Sequence, residues 1–335
     1  MMHFSDLIDL ASERLGGAVL AANDEFFAPK ENLIAASAPV WLEGKYTERG
    51  KWMDGWETRR RRTPGHDWCI VRLGLPGVIR GIVVDTSYFT GNYPEHCSIE
   101  GCALSGASGE DELLGEGISW TRIVPRSPLE GDARNEFAVS LPDRFTHVRL
   151  SIYPDGGVAR MRVFGEVQPP ASRFSMARGE VDLASVENGG LVVACSDMFF
   201  GHRHNLIMPG RALNMGDGWE TKRRRGPGND WSIVRLGARG VIHRIEVDTD
   251  HFKGNAPESC SLEGYDAVGA SVEELTDSSR TWIELLPRAR LQPHTRHQFG
   301  ELETLDAVTH VRFNIFPDGG VARLRLYGTT GRPRA

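Results

Sequence analysis

Residues 54–101 and 217–264 are identical at 33 of 48 aligned positions without a gap, so the chain must fold as something that can be built twice. DLAS at 9–12 returns at 182–185, the glycine pair 16–17 returns at 189–190, and FF at 26–27 returns at 199–200. These early matches lie 173 residues apart, whereas DGWET (54–58, 217–221) and PDGGVAR (154–160, 317–323) lie 163 apart. The offset drops by ten, so ten residues distinguish the copies, and they belong between Asn32 and Asp54, around WLEGKYTERGKW at 41–52. Two domains are expected, 1–168 and 169–335, with VQPPASR (167–173) as the linker.

Each half is long enough to bury its own core, with 40% hydrophobic residues in a chain of 335. A net charge of -6 argues against a nucleic-acid partner, which calls for a basic domain or face. No apolar run approaches the roughly 18 residues of a membrane span. The Met-Met-His start leads into an acidic stretch without the pattern of a secretory signal. Five scattered cysteines, at 69, 97, 102, 195 and 260, read as reduced thiols, so a cytoplasmic location is expected. Cys97 and Cys260 are equivalent in the two copies and suit small buried positions.

Strands dominate the pattern. DWCIVRL (67–73), VIRGIVVDT (78–86) and HVRLSIY (147–153) are short β-branched runs bounded by Gly, Pro or Asp. In residues 147–164, alternation sends Val148, Leu150 and Ile152 to one face and His147, Arg149 and Ser151 to the other; with the Pro-Asp-Gly-Gly segment as its turn, this predicts a hairpin. Only SDLIDLASERLGG (5–17) has a helical pattern, with Ser5 as cap and Gly16 as stop. Many strands and few helices predict an all-β chain of two tandem β-sandwiches.

Two arginine-rich features bear on chemistry. DGWETRRRR (54–62) returns as DGWETKRRR (217–225); the run is expected on a strand or its edge, where Arg59 and Arg61 face opposite to Arg60 and Arg62. These charges can pair with Asp54, Glu57 or Asp67, or one or two can clamp a carboxylate. The hairpin would set His147, Arg149, Arg160 and Arg162 on one polar face, repeated as His310, Arg312, Arg323 and Arg325. Adjacent like charges require an offset, either a bound anion or nearby acidic residues. TGNYPE (90–95) and KGNAPE (253–258) place Asn and Glu on a loop after a strand. Trp68 and Trp231 suit core or pocket wall. His202 and His204 form a His-x-His that on a strand would face one way, which makes them weak metal candidates; their first-half equivalents are Pro29 and Glu31. No HExxH, paired CxxC, GxSxG or Walker loop is present.

NDEFFAPKENLI (23–34), KWMDGWETRRRR (51–62), GHDWCIVRLG (65–74), DTSYFTGNYPE (85–95) and SIYPDGGVARMRVFG (151–165) together resemble the allantoicase family over nearly the whole chain. The resemblance implies two jelly-roll, galactose-binding-like sandwiches and the hydrolysis of allantoate to ureidoglycolate and urea. Such a site needs a cation for the carboxylate, acceptors for ureido N–H groups and a proton donor for the departing nitrogen. The motif positions nominate Glu57, Glu95 and Asp67 as catalytic candidates. They nominate Arg60, Arg72, Asn92, His147 and Arg160 for substrate binding, with Arg223, Arg235, Asn255, His310 and Arg323 as second-copy equivalents. The cofactor stays open: no motif demands one, and a divalent metal is compatible. A homo-oligomer is the default assembly. The competing readings are a non-enzymatic carbohydrate- or small-ligand-binding sandwich and an assembly protein using its arginine faces.

Overall fold

The structure, a computed structural model, describes residues 3–104, 113–115, 117–170, 172–175, 179–302 and 306–330. It divides into two compact units, Met2–Gln168 and Pro169–Ala335. Ala171 of the expected linker lies outside the described residues. Each unit is a jelly-roll β-sandwich.

The first unit is organised by one strand. With β1 (Ile8–Asp9), β2 (Ala18–Ala22), β3 (Tyr46–Thr47), β4 (Gly50–Lys51) and β5 (Trp56–Glu57) before it, β6 runs unbroken from Asp67 to Asp85. After it come β7 (His96–Cys102), β8 (Thr121–Pro128), β9 (Arg134–Ala138), β10 (Arg144–Tyr153), β11 (Gly157–Val158) and β12 (Arg160–Val167). Residues 67–72 of β6 pair with β10 and, over 69–72, with β2, while residues 77–85 pair with β12 and, over 81–85, with β9. One strand therefore serves both layers, and the two expected strands at 67–73 and 78–86 are fused through Pro76 and Gly77. Ile70, Val148, Leu150, Ile99, Ile82, Met161 and Val163 from the two layers are buried. A core of this kind provides most of the driving force for folding.

The second unit repeats the plan with β13 (Val181–Asp182), β14 (Leu191–Cys195), β15 (Trp219–Glu220), β16 (Asp230–Asp248), β17 (Ser259–Tyr265), β18 (Ile283–Arg290), β19 (Arg296–Phe299), β20 (Ala307–Phe316), β21 (Gly320–Val321) and β22 (Arg323–Thr330). Its 19-residue β16 pairs with β14 and β20 early and with β22 and β19 late.

Three local expectations are corrected. Residues 147–164 are not a hairpin: both edges of β10 are occupied, by β6 and β7, and β12 lies between β1 and β6. Residues 154–159 instead cross between layers. SDLIDLASERLGG is not a helix either. It forms 3-10 turns at Phe4–Asp6 and Glu13–Leu15 around β1, because β1 pairs with β12 and the half-buried Asp9 carboxylate accepts the Ala11 and Val163 N–H groups. Gly16 does close the second turn, at φ 88°. The arginine run lies outside any strand, as an extended loop leading from β5 to β6. The ten-residue difference contains the small β3–β4 ribbon.

Candidate active site

The duplicated blocks come together at one end of each sandwich. In the first unit β5 pairs with β11, so Glu57 lies opposite Gly157 and Trp56 opposite Val158. The stitching continues outward: Thr58 N–H donates to Gly156 O, Gly156 N–H donates to the Thr58 hydroxyl, and Arg61 N–H donates to the Asp155 carboxylate at 2.8 Å. DGWETRRRR and PDGG are thus two sides of one structure, which explains why both recur at the same offset. The Gly-Gly pair has two separate causes. Gly156 has a φ of +141°, and a Cβ on Gly157 would overlap the buried Phe89 ring.

Phe89 stands at the start of the TGNYPE loop and sets the third side. Gly157 N–H donates to Asn92 O at 2.8 Å, and the Asn92 amide donates to a Glu57 carboxylate oxygen at 2.6 Å. Burial pushes the Glu57 carboxyl up, partly opposed by the Asn92 hydrogen bond. A carboxyl that keeps its proton to higher pH is suited to general acid work. On the fourth side, NDEFF contributes Phe27, whose N–H donates to Glu57 O, and Phe26 and Phe27 remain exposed. The second unit reproduces the arrangement: Glu220 lies opposite Gly320, Gly320 N–H donates to Asn255 O, and the Asn255 amide donates to the Glu220 carboxylate.

The four arginines divide into paired and free. Arg59 pairs with Asp24 at 2.6 Å and Arg61 pairs with Asp67, whereas Arg60 and Arg62 are exposed with no ion pair among the described residues. Asp24 was not among the expected partners, and Glu57 takes none of the arginines. Asp67 is 2% exposed, and its Oδ1 accepts from both Arg61 and the Asn23 amide. Arg223 is likewise exposed, and Arg224 pairs with Asp230.

The remaining candidates stand elsewhere. Arg160 is 1% exposed, pairs with Asp54 at 2.9 Å and also donates to Ser37 O and Ala159 O. Arg323 repeats this with Asp217 and borders a cavity of about 340 Å3 with Arg296, Arg325, Glu246 and Tyr327. His147 is buried opposite Arg72, and burial with that positive neighbour lowers its pKa. His310, opposite Arg235, is lowered to about 4 by burial first and then by Arg235. Arg72 donates to Gly16 O. Glu95 is exposed on its loop. The arginines of 147–164 are offset by acids: Arg149 pairs with Glu100, Arg160 with Asp54 and Arg162 with Asp9.

His202 and His204 are not on a strand. His202 caps the 3-10 turn Arg203–Ile207 and accepts the His204 N–H, so local turn geometry accounts for their spacing. No group of three His, Cys, Asp or Glu suited to a metal occurs among the described residues. Sequence reasoning missed Thr58, Asp155 and Phe89 as the framework of the site; the shared 163-residue offset of the DGWET and PDGG blocks was the available signal.

The family model described as Allantoicase repeat matches residues 8–168 and again 181–331. A probable allantoicase of Pseudomonas aeruginosa (strain UCBPP-PA14) is 48% identical over 332 residues, covering 98% of each chain. An allantoicase of Dictyostelium discoideum is 51% identical over 328 residues, covering 97% of this chain and 87% of its own. The crystal structure of allantoicase from Saccharomyces cerevisiae superposes with a TM-score of 0.81 at 37% identity, covering 96% of this chain and 92% of that one.

Proposed function

Because this chain belongs to the allantoicase family, we propose that the Glu57–Asn92 loop end carries its chemistry. The protein is an allantoicase: it hydrolyses a C–N bond of allantoate to give ureidoglycolate and urea, in allantoin degradation. Water adds its oxygen to the central carbon as the bond to one ureido nitrogen breaks, and that nitrogen must gain a proton to leave as urea.

Glu57 is the proton donor in this reading. Its support is one observation, the burial-raised carboxyl held by Asn92 on a framework that is built twice. Asn92 Oδ1 has no protein partner among the described residues and is available to accept a ureido N–H. Arg60, exposed and without an acidic partner, is the group for the substrate carboxylate. Asp67, buried and paired with Arg61, is assigned to holding the arginine loop in place. Five cysteines without a disulfide support a reducing, cytoplasmic setting.

Steady-state kinetics on Glu57→Gln test the assignment. Removing a general acid is expected to lower kcat by about 10²–10⁴-fold with KM little changed. Glu220→Gln is measured beside it. A folded Glu57→Gln enzyme with near-normal turnover, together with a collapsed Glu220→Gln enzyme, would move the chemistry to the second unit.

A further inference from the structure

A second polar concavity lies on the sheet formed by the first part of β6 with β10, β7 and β8, and none of its lining residues is Glu57, Asn92 or Arg60. The strand register sets its rows. Trp68, Ser151 and Ser98 are successive partners across β6, β10 and β7, and Arg149, Glu100 and Arg122 are successive partners across β10, β7 and β8. Together with His66, Arg126 and Tyr153 they enclose about 460 Å3.

Charge is unbalanced there. Arg149 directs both Nε and Nη2 to one Glu100 oxygen, at 3.1 and 2.6 Å, and lies over the Trp120 ring. Glu100 is thereby engaged. Arg126 stacks over the Tyr153 ring at 4.4 Å, and neither Arg122 nor Arg126 has an acidic partner among the described residues. Glu100 is the one carboxylate of the wall, against Arg122, Arg126 and Arg149, and His66, its ring 4.8 Å from that of Tyr153, is held below its ordinary pKa by burial and then by Arg61 and Arg149. The Tyr153 hydroxyl lies 3.0 Å from Ser98 Oγ, so hydroxyl donors stand beside the two free guanidinium groups.

The second unit shows what the same scaffold looks like when the charges are balanced. Glu284 stands where the first unit has Arg122, opposite Glu263. Asn314 replaces Ser151 and donates to Glu263 at 3.0 Å, with Asn229, in place of His66, donating to Asn314. Arg288, the counterpart of Arg126, donates to Ser259 Oγ at 2.7 Å. Two acids and internal hydrogen bonds meet the needs that the first unit leaves open.

We propose that this concavity of the first unit binds a small oxyanion, a carboxylate or phosphate, between Arg122 and Arg126, with Trp68 and Tyr153 as its walls. Guanidinium groups offer paired donors suited to either anion, and the ring faces give an apolar boundary.

The test is titration calorimetry of the intact protein with malonate and, separately, inorganic phosphate, at ionic strength held constant with chloride. One saturable site is expected, weakened at least tenfold by Arg122→Gln and by Arg126→Gln and unchanged by Arg288→Gln. Binding of malonate alone identifies a carboxylate site, and binding of phosphate identifies a phosphate site. Arg60→Gln separates this site from the substrate carboxylate anchor and is expected to leave the titration intact. Loss of binding in Arg60→Gln but not in the two β8 variants would assign the anion to the active site and overturn the proposal. So would the absence of saturable binding of both probes, or wild-type affinity in both β8 variants. Both substituted side chains are exposed and unpaired, so wild-type unfolding temperatures are expected and serve as the folding control.

Discussion

Glu57 holds its proton to higher pH than a free glutamate, and the same burial that equips it as an acid burdens the fold. Its folded pKa lies above the unfolded one, so the ionised fold is penalised, progressively, as pH rises through the unfolded value. Glu57→Gln is therefore expected to stabilise the first unit at neutral pH while lowering kcat about 10²–10⁴-fold, with the gain in stability disappearing in acid. Urea unfolding at pH 7 and pH 4 checks both halves of that statement. His310 has the opposite sign. Its folded pKa is depressed to about 4, so the stability tied to its neutral form is present above the unfolded value and is lost as pH falls toward 4. Stability should drop by up to about 3 kcal/mol across that window, and His310→Gln should flatten the slope. Glu57 and Asn92 were legible in the sequence because their motifs recur. Their pairing was not, nor was that of Arg160 with Asp54, because each joins distant stretches of chain that only the folded loops bring together.

At the scale of elements, alternation identified the strands but not their neighbours. Val148, Leu150 and Ile152 do face the core, yet the same pattern fits a hairpin and a strand that passes its chain to the opposite layer. What decides is that β6 and β7 already occupy both edges of β10, a non-local fact. Pro76 and Gly77 look like a turn in the sequence and divide β6 in two there, whereas in the fold they mark the place where the strand changes layer. The helical pattern of residues 5–17 lost to sheet pairing by β1. The PDGG crossing is where this level touches function. Gly157→Ala is expected to lower stability by about 1–3 kcal/mol by forcing Phe89 aside, and to reduce kcat as the Asn92 tether shifts. Denaturant midpoints and kinetics on the one variant read both effects, and Gly320→Ala gives the matching comparison against Phe252.

For the whole molecule, duplication was the most legible property, because it needs only the chain compared with itself. The functional asymmetry was less so, since it rests on single replacements such as Arg122 against Glu284 whose meaning depends on what lies across the sheet. Each unit buries its own core, so residues 169–335 alone are expected to fold cooperatively, with a far-UV spectrum of β-type and a single urea transition. A non-cooperative transition would show that the second unit depends on the first. The strand shared between layers has a mechanical consequence as well. In a sandwich whose sheets are joined only by loops, the layers can slide when the loops yield. Here β6 and β16 are continuous from one layer into the other, so shear must break main-chain hydrogen bonds in both at once. The loops that hold Glu57 are thus anchored to a frame that resists load along its own seam.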